Sequence, residues 1–245
     1  MGDAKTNVYH ITYFSESKTA CLYFGKCNFR CLGCIRRRCS FDIHLSPSSL
    51  KQTDKKAAFF LTIDQILNTL RKEKIDKIIF LGGEPTLDSK FVFLTKRLKE
   101  KFNSFNVLLT NGYILPELSF LDEVCLGIKA KTSVLHREYT GKNSGQVFEN
   151  LDVLNKSSLT LRTESMFIPD YIGREEAEHI AKAISRINPN IPHRIDGYIP
   201  VPGTEWRRPT QKEMEGVVII ARKYLKDVTF IKTSKRNSSL VKTLA

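Results

Sequence analysis

The stretch that most constrains this chain is Tyr23-Phe24-Gly25-Lys26-Cys27-Asn28-Phe29-Arg30-Cys31-Leu32-Gly33-Cys34, which sets three cysteines at CxxxCxxC spacing directly after a short apolar run. Three thiols held that close point to a metal site. A four-iron cubane takes one cysteine thiolate per iron, so a three-cysteine loop leaves one iron open to a ligand that is not protein. The rival is a structural zinc site completed by Cys39, although zinc sites usually draw paired CxxC units from separate hairpins.

The wider composition supports a metal over disulfides. The chain has 245 residues, a mixture of apolar and charged side chains, and no run of about 18 apolar residues that would cross a bilayer. Met1 to Ser17 lacks the charged-then-apolar order of a signal peptide, so the expectation is a cytoplasmic protein with no membrane role. Thiols stay reduced there. Of the six cysteines, Cys21 and Cys125 fall in strand patterns and are expected to be small core residues, and Cys39 is read as incidental.

Apolar periodicity alternates between strand and helix. Strand patterns occupy Ala20 to Phe24, Lys77 to Leu81, Val107 to Leu109, Val124 to Ala130, Leu159 to Ile168, Arg194 to Ile199 and Val228 to Lys232. Helical patterns run from Thr62 to Lys72, Asp88 to Lys101, Pro116 to Leu121, Ser144 to Asn155, Glu175 to Ile187 and Gln211 to Leu225. Strands separated by helices of this length form parallel βαβ units, because a parallel neighbour needs a crossover. The expected fold is therefore α/β: a partial (β/α)6-type TIM-like barrel with parallel strands and the cysteine loop after the first. It is one domain over 1–245, with an N-terminal extension at 1–19, an irregular loop at 36–60 and a basic C-terminal tail at 233–245. Cys27, Gly82, Thr110, Lys129, Arg162 and Tyr198 would share the rim where such barrels place their chemistry.

These residues carry a family resemblance. The CxxxCxxC loop, Gly82-Gly83-Glu84-Pro85, Thr110-Asn111-Gly112 and Lys129 are similar to radical S-adenosylmethionine (SAM) enzymes. More narrowly, the chain resembles the activating enzymes of glycyl-radical enzymes such as pyruvate formate-lyase, and their archaeal relatives. The likeness continues through Tyr139-Thr140-Gly141, Arg162, Ile168-Pro169, Gly197-Tyr198-Ile199-Pro200 and Arg207-Arg208-Pro209-Thr210.

The resemblance implies a [4Fe-4S] cluster on Cys27, Cys31 and Cys34, with the amino and carboxylate groups of SAM on the fourth iron. It implies SAM contacts from Gly82, Gly83, Glu84, Pro85, Thr110, Asn111, Lys129 and Arg162, Lys129 facing the cofactor carboxylate. It implies reductive cleavage of SAM to a 5′-deoxyadenosyl radical that takes hydrogen from a substrate, and an electron donor of the ferredoxin or flavodoxin type. The glycines have a physical rationale of their own, since they let backbone approach the bound amino acid end closely. For Arg162 an ion pair with Glu164 or another acid competes with the cofactor contact.

Two positions depart from the family pattern. The residue before the last cluster cysteine is usually an aromatic that touches the adenine. Here it is Gly33, and Phe29 or a residue of the long loop is expected to fill the space. A carboxylate usually lies two residues before the strand-four lysine, where this chain has Gly127.

The net charge of +13 concentrates in Lys26, Arg30, Arg36, Arg37 and Arg38, and again from Arg222 to Lys242. One reading is a solvated surface. The other is a positive edge that draws a protein or RNA substrate. Alternatives are a small anionic metabolite as substrate, or a non-catalytic metal-binding module for nucleic acid, which would have no use for the GGEP loop and Lys129.

Overall fold

The computed structural model describes residues 4–39, 59–231 and 241–245. Most of the irregular loop expected at 36–60, and Lys232, Lys235 and Arg236 of the basic tail, lie outside the described residues. Among the described residues nine strands form one sheet: β1 (Val8–Phe14), β2 (Thr19–Phe24), β3 (Lys77–Gly82), β4 (Phe105–Thr110), β5 (Glu123–Ile128), β6 (Thr160–Phe167), β7 (His193–Gly197), β8 (Val228–Phe230) and β9 (Val241–Thr243).

From β2 to β8 the strands lie side by side in chain order, and every adjacent pair is parallel. This is the expected parallel α/β sheet, with the cysteine loop leaving the first parallel strand. The terminal segments correct the sequence reading. β1 pairs antiparallel with β2, and β9 pairs antiparallel with β1, so segments read as extension and tail each add a strand. β1 lacked a strand signature because it is covered on both faces: His10 and Thr12, the polar residues that broke its apolar pattern, are both fully buried.

Helices return the chain between strands. α1 (Ile63–Leu70) starts at Thr62, whose hydroxyl accepts from the Gln65 backbone while the Gln65 side chain accepts from the Thr62 backbone, a closed capping box. Ile63, Ile66, Leu67 and Leu70 form its buried stripe. α2 (Phe91–Phe102) starts later than expected, because Pro85–Leu87 forms a separate 3-10 turn. α3 (Ser133–Thr140), whose two turns were too short to show a period, ends at Gly141 with φ +81°. α4 (Gly145–Asn155), α5 (Arg174–Ile187) and α6 (Gln211–Ala221) match the expected helices within a few residues. Pro116 to Leu121 is not helical; a lone turn of this length does not offset its nucleation cost. Among the described residues no helix is long and apolar enough to cross a membrane.

Side chains alternate across the sheet. One face carries Leu22, Phe80, Leu108, Val124, Leu126, Ile128 and Ile195, which pack with the helices into the main core. The opposite face is divided. On β1 to β3 it is apolar, with Tyr9, Cys21 and Tyr23 packed against Ile79 and Leu81. On β5 to β7 it carries ion pairs between Glu123 and Arg162 and between Arg194 and both Glu164 and Asp196. A core-facing sheet surface rarely keeps so many charged groups, which makes this half a binding surface by chemistry.

Candidate active site

The cysteine loop is hooked to its surroundings through main-chain groups. Gly25 N–H bonds to Asn7 O at 2.8 Å, and Glu84 N–H bonds to Lys26 O. Arg30 N–H and Leu32 N–H donate to Thr140 O and Tyr139 O at 2.8 and 3.0 Å. These carbonyls belong to the last turn of α3, where helix acceptors lack intrahelical partners, so the Tyr139-Thr140-Gly141 run serves as an anchor for the loop. Arg36 reaches back to Phe24 O and Gly25 O at 3.0 and 2.9 Å and lies over the Tyr9 ring. Arg37 bonds Leu32 O, and Arg38 bonds Pro200 O. The guanidiniums of Arg36, Arg37 and Arg38 thus each hold a backbone carbonyl, although Arg37 and Arg38 remain exposed.

Among the described residues no three His, Cys, Asp or Glu side chains converge as they would on a single metal ion. Burial pushes the Cys27 thiol up, and the Cys31 thiol up to about 11. Both would release protons on metal binding. Donors surround the loop: Phe29 N–H lies 3.4 Å from Cys27 Sγ, Asn111 Nδ2 lies 3.8 Å from it, and Asn28 Nδ2 is buried without a partner. Such groups fit an acceptor that carries negative charge on sulfur.

Gly82 and Gly83 approach other protein backbone. A Cβ on Gly82, whose φ is +107°, would lie 2.8 Å from Phe24 N, and one on Gly83 would lie 2.1 Å from Lys26 O. Glu84 is 1% exposed and its carboxylate has four donors. Oε1 accepts from Thr86 N, Thr86 Oγ1 and Thr110 Oγ1 at 3.2, 2.9 and 2.8 Å, and Oε2 accepts from Asn111 N at 2.8 Å. A carboxylate has about four lone-pair sites, so Glu84 works as a brace between the ends of β3 and β4. Pro85 is buried at the start of the following turn. Thr110 Oγ1 also accepts from Gly112 N at 3.0 Å.

Lys129 follows β5 and folds back over Gly127, its Nζ 3.3 Å from where a Cβ at 127 would be. Burial works against its charge, yet the surrounding Cys31, Glu164, Cys34 and Asp196 outweigh burial and raise its pKa. Glu164 Oε1 lies 3.7 Å from the same point over Gly127, because the parallel register sets Gly127 beside Glu164. A carboxylate absent from position 127 is therefore present from the neighbouring strand. Arg194 binds Glu164 Oε2 at 2.8 Å and Asp196 on both oxygens at 2.8 and 2.9 Å. Sequence reasoning missed Glu164, Arg194 and Asp196. Their period of two along β6 and β7 was the available signal.

Arg162 needs a correction. It is registered with Cys125, one inward position below the Gly127 level, and its Nε is bonded to Glu123 Oε1. The acid that pairs with it is thus Glu123, not Glu164. Phe29 is likewise corrected: it packs edge-on against Tyr113 and His136, with ring centroids at 5.7 and 5.4 Å. The space beside Gly33 belongs to Tyr198, Tyr139 and Trp206, whose nearest atoms would meet a Cβ there at 2.8, 2.9 and 3.3 Å. Trp206 also stacks on Tyr171 at 4.3 Å. Cys21 and Cys125 are buried in the sheet as expected.

Comparison with known proteins places this geometry. A protein of Methanocaldococcus jannaschii, named as a candidate glycyl-radical enzyme activating enzyme, is 28% identical over 246 residues, covering 96% of this chain and 89% of that one. Among solved structures, a radical SAM methyltransferase from Sphaerobacter thermophilus aligns with TM-score 0.62 at 13% identity, over 91% of this chain and 70% of that one. Streptococcus suis SuiB bound to S-adenosylmethionine aligns with TM-score 0.58 at 13% identity, over 84% of this chain. The chain spans 45% of SuiB, and these two likenesses speak to the fold alone. The family model described as Radical SAM superfamily matches residues 22–187. With its cysteine loop and strands β3 to β6 inside that match, the chain belongs to the radical SAM superfamily, whose enzymes use a [4Fe-4S] cluster and S-adenosylmethionine.

Proposed function

We propose that Cys27, Cys31 and Cys34 hold the [4Fe-4S] cluster, and that the amino acid end of SAM lies between the open iron and Lys129. The observation that carries this reading is Lys129 itself. It is folded over Gly127 beside Glu164 Oε1, and the groups around it raise its pKa against the effect of burial. Glu84 acts at one remove, fixing Thr110 and Asn111. Gly82 and Gly83 admit the start of the cysteine loop. The chemistry supplied by the loaded site is one-electron reduction of the SAM sulfonium, giving methionine and a 5′-deoxyadenosyl radical that takes a hydrogen atom from the substrate. The protein's share is to position the reactants and keep out water.

The hydrogen donor in this reading is a glycine of a partner protein. The likeness to the Methanocaldococcus protein named as an activating enzyme supports it. The exposed Lys26, Arg30, Arg37 and Arg38 around the loop suit an acidic electron donor of the ferredoxin or flavodoxin type. A second reading, a small metabolite with both charges, is favoured by the ladder of Glu123, Arg162, Glu164, Arg194 and Asp196, which offers acids and bases in nearly equal number.

Anaerobic reconstitution tests the core of the proposal. Close to four irons per chain are expected, lost in Cys27→Ala, Cys31→Ala and Cys34→Ala but kept in Cys21→Ala, Cys39→Ala and Cys125→Ala. With dithionite the loaded protein should cleave SAM slowly to methionine and 5′-deoxyadenosine. Full iron loading of Cys31→Ala would sink the assignment.

A further inference from the structure

The side chain of Asn111 is fixed on every side. Its backbone N–H donates to Glu84 Oε2 at 2.8 Å, and its Oδ1 accepts from Tyr113 N at 3.0 Å. That second bond settles which end of the amide is oxygen. The NH₂ end then points at the cysteine loop, with Nδ2 2.7 Å from Asn28 Oδ1 and 3.8 Å from Cys27 Sγ. An amide nitrogen has two hydrogens: one is taken by Asn28, and the other is left for sulfur. The residue is itself 8% exposed, although Cys27 is open to solvent.

We propose that Asn111 is a positioning residue for the cluster, donating from Nδ2 to the Cys27 thiolate and so raising the cluster's reduction potential. This rests on Cys27 being a cluster ligand, and it moves Asn111 from the cofactor contact implied by the resemblance to a contact with sulfur. Reduction adds negative charge to the cluster, part of it on sulfur, and a hydrogen bond to sulfur favours the state with more charge there. Hydrogen bonds to the sulfurs are among the levers that set such potentials. The orphaned Nδ2 of Asn28 is a second donor left buried beside the same loop, which a further sulfur acceptor would satisfy.

The GGEP and TNG motifs then act as one device. Glu84 grips the Asn111 backbone, Thr110 grips Glu84, and the amide, held by Tyr113 N–H and Asn28 Oδ1, is delivered to Cys27.

The test is the midpoint potential of the reconstituted protein, followed by electron paramagnetic resonance with and without SAM, in the parent and in Asn111→Leu. Iron content near four per chain with a reduction equilibrium about tenfold less favourable, ~59 mV lower for one electron, is the expected result. Full iron content with an unmoved potential overturns the proposal while leaving the cluster assignment intact. A parent that never loads four irons overturns both. Should Asn111→Leu fail to take up iron, the parent decides: grown with asparagine labelled with ¹⁵N on the side chain, its reduced cluster should show a ¹⁵N coupling that persists in Asn28→Ala. Absence of that coupling, or its loss in Asn28→Ala, assigns the donor elsewhere.

Discussion

Gly83 lies so close beneath the carbonyl of Lys26 that a Cβ would come within 2.1 Å of the oxygen, with Arg36 Nη1 at 2.8 Å on another side. Backbone cannot yield as a flexible side chain can, and the Lys26 carbonyl is also the acceptor for Glu84 N–H. Gly83→Ala should therefore push the entrance of the cysteine loop off β3. Iron loading is expected to fall to less than half that of the parent, with SAM cleavage falling in proportion. Iron loading equal to the parent, with SAM cleavage alone lost, would return the glycine to the cofactor side.

Gly33 meets a harder wall than most glycines, because Tyr139 and Tyr198 are each 1% exposed and have nowhere to turn. Gly33→Ala should cost about 1–3 kcal/mol through overpacking, read as a lower unfolding midpoint. Adding Tyr139→Phe removes the hydroxyl that lies 2.9 Å from the new methyl and should recover part of the loss. Trp206, the chain's single tryptophan, reports on the same spot, and its emission should shift in Gly33→Ala. An unchanged midpoint would show that the aromatic group is looser than its packing indicates.

The parallel sheet was legible because β2 to β8, except for the β4–β5 connection, alternate with helices, some with clear apolar stripes, as at Ile63, Ile66, Leu67 and Leu70. β1 was hidden by its buried His10 and Thr12, and α3 by its length. The site was readable where spacing along the chain carries it, as in the CxxxCxxC loop. It was unreadable where register between strands carries it. Glu164 comes to Gly127 only through the β5–β6 pairing. Arg162, two residues earlier on the same face, is bonded to Glu123, a partner that only the β5–β6 pairing supplies. The partners of Gly33 come from α3 and from the segment after β7, separations that no local pattern encodes.

His193 sits 2% exposed between Thr163 Oγ1 at 2.8 Å and Ser165 Oγ at 3.0 Å, and burial lowers its pKa to about 4. An unfolded histidine titrates near 6.5. Its neutral form is the one that folds, so the stability it contributes is present above pH ~6.5 and is lost as pH falls toward 4, by roughly 3 kcal/mol in total. His193→Gln should flatten the pH dependence of denaturant unfolding across that window. A slope identical to the parent would show that folding does not lower the His193 pKa.

Glu84→Gln tests the brace between β3 and β4. The substituted amide keeps one oxygen and turns its NH₂ toward groups that only donate: Asn111 N–H on one side, or Thr86 N–H on the other. Leaving one of these unsatisfied in a site 1% exposed should cost about 1–3 kcal/mol. Burial, partly offset by the four donors, raises the Glu84 pKa above the ordinary carboxylate value. The unfolded carboxylate therefore ionises first as pH rises, and stability is lost between the unfolded pKa and the raised folded one, opposite in sign to His193. The substitution removes that component, so the variant should lose stability more steeply than the parent on acidification. Because Asn111 loosens with its anchor, iron should stay bound through the three cysteines while the cluster potential drifts toward that of Asn111→Leu. If stability and potential both match the parent, Glu84 is not the brace, and the carboxylate must serve the bound amino acid end directly.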